Sequence, residues 1–542
     1  MNRKILLIES AYKNKYPPLG LMKISAYHKM LGDDVTFFKG KSKELREEKW
    51  DRIYVTTLFS FYWKTTIETI EFYKRSVYNI NNFKIGGIMA SLLSEEIYKE
   101  TRIKSIVGLL DKPRMLDEDN DIIVDHVVPD YDIIDEIDYN YPTNNAYFAY
   151  MTRGCVNKCS FCAVPKLEPE YKHYISIKEQ IAEIDKKYGQ KKNLLLLDNN
   201  VLASNQFPQI IEEIKTIGFY KGAKYQETIK FNLLIERLQG GFKPPGENSR
   251  KILDKLSVLL KKQPAKIKYE RVRNKYLQLL DQYGLLNNLT MEKIFYAKDK
   301  LAPFFEKYRN KAYSLRYVDF NQGIDPSFID EQKMELLSEL SIKPLRIAFD
   351  STEPSYIEKY RNAIKLAVKY GIKDLSNYVL FSWNNDTPDD FYNRLKLNIE
   401  LNEELGIKIY SFPMKYIPVT DKNRNEYIGK HWNWKYFRAI QKVLLVTRGV
   451  VMPEKSFFDA AFGKDKSEFH KIMLMPEEYI IERVRHAKAG DTDRWWDELT
   501  SLSSKDYETA AAIIKSNNFK NIEEKTSNKK IVKLMEHYSI SN

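Results

Sequence analysis

The 542-residue sequence predicts an α/β fold built on parallel strands, followed by a helical C-terminal region. Three observations predict it. Short apolar runs alternate with amphipathic helical stretches from residue 4 to residue 412, which is how parallel strands with helical crossovers look in sequence. Polar residues gather just after most of the apolar runs, where parallel α/β folds carry their sites. From about Asp421 the strand signals stop and apolar residues recur at helical spacing.

Composition limits the class. With 43% hydrophobic residues, 37 Tyr and 27 Phe, the chain is globular rather than disordered, and its length suggests roughly two to four domains. No apolar run approaches the ~18 residues of a membrane span. The start, Met1-Asn2-Arg3-Lys4, leads to only four apolar residues before Glu9. A signal peptide needs about 7–15. Three cysteines are too few for a disulfide framework. A soluble, reducing, cytoplasmic setting is expected, not a secreted, membrane or fibrous one. No internal repeat is detected.

The elements follow in order. Residues 4–8 read as a strand, and Pro17-Pro18-Leu19-Gly20-Leu21 opens a helix to about Leu31. Residues 34–38, 52–56 and 84–88 are further strands, the last with Gly86-Gly87, and 65–73 is helical. This is a doubly wound, Rossmann-like pattern over residues 1–140. No Gly-x-Gly-x-x-Gly supports a dinucleotide site, and Gly86-Gly87 reads first as close helix packing.

A second series spans 141–420. Residues 147–151 form a strand ending at Thr152-Arg153-Gly154, and 193–197 a strand ending in Asp198-Asn199-Asn200. Residues 208–217 are helical. The strand 314–320 closes with Asn321-Gln322-Gly323-Ile324-Asp325, and 345–349 ends in Asp350-Ser351. Helices at 330–340 and 355–370 flank that fourth strand. Residues 378–381 lead to Ser382-Trp383-Asn384-Asn385, and Asp386-Thr387-Pro388-Asp389 starts a helix that stops at Gly406. The sixth strand, 407–412, runs into Pro413-Met414-Lys415-Tyr416.

All three cysteines, Cys155, Cys159 and Cys162, lie in one eight-residue stretch after the first strand of this series. Three readings stand. They could be small buried hydrophobes. They could bind zinc with a fourth ligand such as His173. They could hold a [4Fe–4S] cluster through three thiolates, leaving one iron open to a small molecule.

The spacing Cys-x3-Cys-x2-Cys, with Phe161 just before the third Cys, resembles the radical S-adenosylmethionine (radical SAM) superfamily. The resemblance spans roughly 147–418 without the insertion and implies a partial (β/α)6 radical SAM barrel. It implies Cys155, Cys159 and Cys162 as cluster ligands and reductive cleavage of SAM to a 5′-deoxyadenosyl radical. Further positions match by place in the motif pattern. Asp198, Asn199 and Asn200 stand where the family's Gly-Gly-Glu-like motif takes the methionyl amino group, and depart from it. Gln322 closes the third strand. Asp350 and Ser351 resemble the fourth-strand motif for the ribose and methionyl part. Ser382 and Asn384 are placed like the fifth-strand adenine and ribose contact, without its usual glycines. Met414 and Tyr416 would pack on adenine, with plain core packing the alternative for Met414. An electron donor such as flavodoxin or ferredoxin is implied. No cysteine is spare for a second cluster or a methyl-carrying thiol.

The first 140 residues are similar to the N-terminal domain of the cobalamin-dependent radical SAM subgroup, on Pro-x-Leu-Gly-Leu after the first strand and Gly-Gly after a later one. The Asp-x-His-x-x-Gly motif of wider cobalamin binders is absent: the loop reads Glu9-Ser10-Ala11-Tyr12-Lys13-Asn14. The resemblance leaves cobalamin as a possible second cofactor. With cobalamin, a methyltransferase acting on an unactivated carbon is implied.

The insertion 220–313 carries 21 Lys+Arg against 9 Asp+Glu, so it holds +12 of the chain's +13. Helical stretches are expected at 251–262, 265–283 and 290–308. Lys261, Lys262, Lys266, Lys268, Arg271, Arg273 and Lys275 interleave with Tyr269 and Tyr276. Such a segment is a solvated hairpin, a footprint for a polyanionic substrate such as RNA, or a dock for an acidic protein. In the C-terminal region, 421–542, Arg448, His486 and Asp491 are candidates for a cavity or for packing, and 526–542 reads as a polar tail with one amphipathic turn. The competing reading of the whole chain is a zinc-stabilised nucleic-acid-binding protein without catalysis.

Overall fold

Four consecutive apolar residues after a basic start can be buried on both faces, as a central parallel strand requires. The computed structural model, which describes residues 2–309, 312–419 and 424–539, places Lys4–Glu9 (β1) in that position, with Ile5 to Ile8 wholly buried. The expected boundary at 420/421, residues 310–311 of the insertion, the tail end 540–542 and Met1 lie outside the described residues. The chain divides into two compact units, Met1–Asp319 with Glu339–Ser341 and Phe320–Ser338 with Ile342–Asn542.

In the first unit, β1 pairs in parallel with Asp34–Lys39 (β2) and Arg52–Thr57 (β3), and β3 with Phe83–Gly87 (β4), giving the order β2-β1-β3-β4. Ile5 stands opposite Val35 on one side and Arg52 on the other. At the N-terminal edge of this sheet Arg3 is shared by Asp33 and Asp117, each at 2.7 Å. The second sheet holds Ala146–Ala149 (β5) and Asn193–Leu196 (β6), parallel with Ala146 opposite Asn193.

The insertion leaves and returns through a short antiparallel pair, Lys224–Tyr225 (β7) and Ser314–Leu315 (β8). Its helices Lys230–Leu238, Ser249–Lys262, Glu270–Gln282 and Met291–Lys307 close on their own core, with Phe231 and Phe305 stacked at 4.3 Å. The single helix expected over 265–283 is broken. Ile267 is buried in that core with extended backbone, so a 3-10 turn at Gln263–Lys266 precedes the helix Glu270–Gln282. The strand expected over 314–320 is likewise two, β8 and Val318–Phe320 (β9), and the sheet order is β5-β6-β9. Arg316 sits at the break, stacked on Phe219 at 4.0 Å and donating to the Lys191 carbonyl at 2.9 Å.

In the second unit Leu345–Arg346 (β10), Asp374–Phe381 (β11) and Lys408–Lys415 (β12) form a parallel sheet in that order, and Ile324 bridges Ile347 in parallel. Helix Pro388–Leu405 starts with a complete capping box between Thr387 and Asp390 and ends at Gly406 in the left-handed conformation. The C-terminal helices share one core with β11 and this helix, from Val379 and Phe391 through Trp432, Phe469 and Trp495 to Tyr538. The expected polar tail is instead the helix Lys529–Ser539, which buries Ile531, Leu534, Met535 and Tyr538. Four apolar residues at helical spacing outweigh its three lysines once there is a surface to cover. The observed fold is α/β with parallel sheets, as expected.

Candidate functional site

The chain leaves β5 in a tight path that Asp198, just beyond β6, holds in place. Its Oδ1 accepts from Met151 N at 3.0 Å, from Thr152 Oγ1 at 2.7 Å, and from Thr152 N. Asp198 is buried, and loss of water pushes its carboxyl up to about 6 against those hydrogen bonds. Arg153 stacks on Tyr150 at 3.5 Å and forks between Asp125, at 2.7 and 2.8 Å, and Glu168 at 3.0 Å. Lys23 meets Asp125 at 2.9 Å, and burial lowers its ammonium pKa.

Gly154 then turns the chain with φ +70°. A Cβ there would lie 2.3 Å from the Glu170 carbonyl oxygen, so only glycine fits. Its N–H donates to Glu168 at 2.8 Å, and the same carboxylate accepts from Asn199 Nδ2 at 3.2 Å. Glu168 thus clamps Arg153, Gly154 and Asn199 around the entry to the cysteine loop.

Cys155 and Cys162 are half-buried and Cys159 is exposed. Among the described residues, no three His, Cys, Asp or Glu side chains are gathered closely enough to hold a metal ion as they stand. The loop does prepare its sulfurs. Cys155 Sγ accepts from Asn157 N at 3.4 Å and from Asn200 Nδ2 at 3.6 Å, and Cys162 Sγ accepts from Val164 N at 3.4 Å. Such N–H···S contacts suit thiolates in an iron–sulfur site. Phe161 is half-buried. His173 is exposed, and its Nδ1 accepts from Asn205 N at 3.3 Å.

Two buried oxygens beside this loop have no hydrogen-bond partner among the described residues: Asp198 Oδ2 and Asn200 Oδ1. Buried acceptors without a donor are costly, and both are suited to a cation carrying several N–H donors. Of the three residues after β6, the structure therefore separates the roles: Asp198 braces β5, Asn199 belongs to the Glu168 clamp, and Asn200 reaches Cys155. Tyr171, which sequence reasoning missed, donates to the Asn200 carbonyl at 2.7 Å. Three thiols on one loop, sulfur-directed amides and two orphaned acceptors fit an iron–sulfur cluster with an ammonium-bearing ligand.

At the C-terminal edge of the first sheet, Tyr12 after β1 stacks on Tyr62 after β3 at 4.4 Å. Glu9 accepts from Asn14 and Lys39, each at 2.7 Å, and from Tyr141. These polar groups satisfy one another. Ser10 Oγ is buried without a hydrogen-bond partner among the described residues, and Phe59 and Phe61 are exposed at the end of β3.

In the second unit Gln322 is exposed, and Ser351 Oγ accepts from Glu353 N at 3.2 Å. Burial pushes the Asp350 carboxyl up to about 6. Ser382, with φ 64°, is fully buried, and its hydroxyl accepts from Gly429 N at 3.2 Å. Asn384 and Tyr416 are brought together by Tyr427, which donates to Asn384 Oδ1 at 2.6 Å and meets Tyr416 edge-on at 5.3 Å. Met414 is 49% exposed on β12. His486 and Asp491 pair with each other at 2.8 Å. Tyr427 had no signal in the sequence.

No family model matches the chain, and no curated protein matches it. Solved structures similar to it are cobalamin-dependent radical SAM enzymes. The radical S-adenosylmethionine methyltransferase TsrM from Kitasatospora setae, with cobalamin and [4Fe-4S] cluster bound, is 12% identical at a TM-score of 0.42, covering 78% of this chain and 74% of that one. The same enzyme with tryptophan substrate and the SAM analogue aza-SAM bound gives 12% and 0.42, covering 77% and 73%. The cobalamin-dependent S-adenosylmethionine radical enzyme OxsB is 10% identical at 0.37, covering 99% of this chain and 83% of that one.

Proposed function

We propose that this chain is a radical SAM enzyme holding one [4Fe–4S] cluster through Cys155, Cys159 and Cys162. The observation that carries this reading is the pair of buried, unpartnered oxygens on Asp198 and Asn200, next to a three-cysteine loop whose sulfurs accept amide hydrogens. When bound, the cluster supplies the electron that splits SAM into methionine and a 5′-deoxyadenosyl radical. The protein's part is to bind and orient. Asp198 Oδ2 and Asn200 Oδ1 would accept from the methionyl ammonium, while Glu168 and Arg153 keep the loop in shape. Asp350, Ser351, Asn384, Met414 and Tyr416 are the proposed contacts for the remainder of SAM. Gln322, which is exposed, and Ser382, whose hydroxyl accepts from Gly429, complete that set.

The domain reading goes with this proposal: 1–140 cobalamin-binding-like, 141–420 barrel with 220–313 inserted, and 421–542 helical. Cobalamin bound after β1 and β3 would supply methyl transfer to an unactivated carbon of substrate. A flavodoxin or ferredoxin would deliver the electron, and a polyanionic substrate such as RNA would meet the insertion.

Anaerobic cluster reconstitution, reduction and assay for 5′-deoxyadenosine test the proposal. Turnover of SAM by a brown, four-iron protein is the expected result. A colourless, zinc-containing protein without SAM turnover would overturn it in favour of the zinc-stabilised nucleic-acid-binding reading. Co-elution of corrin after addition of hydroxocobalamin tests the second cofactor.

A further inference from the structure

The insertion's charge is sorted in space, which its sequence does not reveal. Its cations of one set are consumed by acids. Arg237 pairs with Glu247 at 3.0 Å, and Lys255 meets both Asp132 and Glu247 at 2.7 Å. Lys293 and Lys300 are engaged by backbone carbonyls and by Tyr283. A second set is left over. Lys261, Lys262, Lys266, Lys268, Arg271 and Lys275 are all exposed. None makes an ion pair among the described residues, and the only acid in 261–275 is Glu270.

The break at Ile267 arranges this set. Burying that side chain turns Lys266, Lys268 and Tyr269 outward between two helices. The following helix adds Arg271, Asn274, Lys275 and Gln278, one exposed stripe at helical spacing. Tyr269, in the middle, is 70% exposed. An exposed ring flanked by unpaired cations is the arrangement on which unpaired bases stack while phosphates track the charges. An anionic bilayer would require several insertable apolar side chains; within 261–275 Tyr269 is the one exposed large apolar side chain.

We propose that residues 261–275 form a docking strip for single-stranded nucleic acid, with Tyr269 as its stacking platform. This deepens, and rests on, the polyanion part of the proposed function. It requires neither cluster nor SAM, so its outcome is separable from that of the 5′-deoxyadenosine assay.

The test uses the full chain and a fluorescent oligouridylate, with anisotropy read across about 50 to 200 mM salt. Single-strand binding with a salt slope near −0.7 per phosphate neutralised is expected. Reversing Lys266, Lys268, Arg271 and Lys275 to Glu should weaken binding at least tenfold and flatten the slope by roughly 2 to 3. Tyr269→Ala should weaken it about five- to one-hundred-fold with the slope unchanged, and Tyr269→Phe should restore it. No binding, binding indifferent to these variants, equal binding of a duplex with Tyr269→Ala silent, or capture by phosphatidylserine vesicles in place of the oligonucleotide would each overturn the proposal.

Discussion

Replacing Glu168 with alanine should loosen the cysteine loop without unfolding the chain. The carboxylate accepts from Arg153 at 3.0 Å, Gly154 N at 2.8 Å and Asn199 Nδ2 at 3.2 Å. Losing a charge-assisted bond costs about 1.5–3 kcal/mol, and a buried N–H left unpaired costs about 1–3 kcal/mol. Arg153 keeps both bonds to Asp125, so no naked charge is created and the larger penalty of a broken buried ion pair is avoided. The bonds share one carboxylate and do not add in full. About 3–4 kcal/mol is the expected total, or roughly 100- to 1000-fold in loop opening at 1.4 kcal/mol per tenfold. Glu168→Gln keeps an acceptor for Gly154 and should cost about half. Amide hydrogen exchange at Thr152 and Gly154 in the metal-free chain reads this directly, and iron per chain after reconstitution reads its consequence. Exchange at Gly154 unchanged within threefold in the alanine variant would refute the clamp.

Cys159→Ala should abolish iron binding and brown colour after reconstitution; a variant that keeps four irons would remove the ligand assignment. SAM affinity should be full above about pH 6 and fall as pH drops through it, because the buried Asp198 carboxyl is raised to about 6 and its ionised form holds an ammonium more strongly than its neutral form; calorimetry should show the dependence flattened in Asp198→Asn. Lys435 is wholly buried without a hydrogen-bond partner among the described residues, and burial lowers its ammonium pKa to about 7. The unfolded chain holds that proton up to pH 10.5, so stability is lost as pH falls from there to about 7 and is level below it. Lys435→Met should therefore stabilise the chain by up to about 5 kcal/mol at pH 7, and by little near pH 10.5, in urea melts.

In the first sheet β1 was readable as an unbroken apolar run, and β2, β3 and β4 as short clusters of β-branched and aromatic residues. β11 was only half readable. Its first residues, Asp374 to Asn377, include Ser376 and Asn377, buried polar side chains that look like loop in sequence. They are tolerated because Arg346 reaches Ser376 at 3.4 Å and Asn377 donates to Tyr360 at 2.7 Å. The helix Lys529–Ser539 was hidden in the same way: its lysines read as tail, while Tyr538 donates to the Leu474 carbonyl at 2.8 Å and accepts from Trp495 at 3.0 Å.

Periodicity and spacing are local properties, and they determined by themselves the strand–helix alternation, the three-cysteine loop and the excess charge of one insertion. Tertiary structure decided which groups meet. Glu168 rather than another acid closes the loop, Asn200 rather than its neighbours reaches Cys155, and among the described residues the exposed cations of 261–275 stay without an ion pair while Arg237 and Lys255 do not. Those choices join residues 8 to 123 positions apart. Only the folded path of the backbone brings such partners within hydrogen-bond reach, and hydrogen bonds and ion pairs act only at that range.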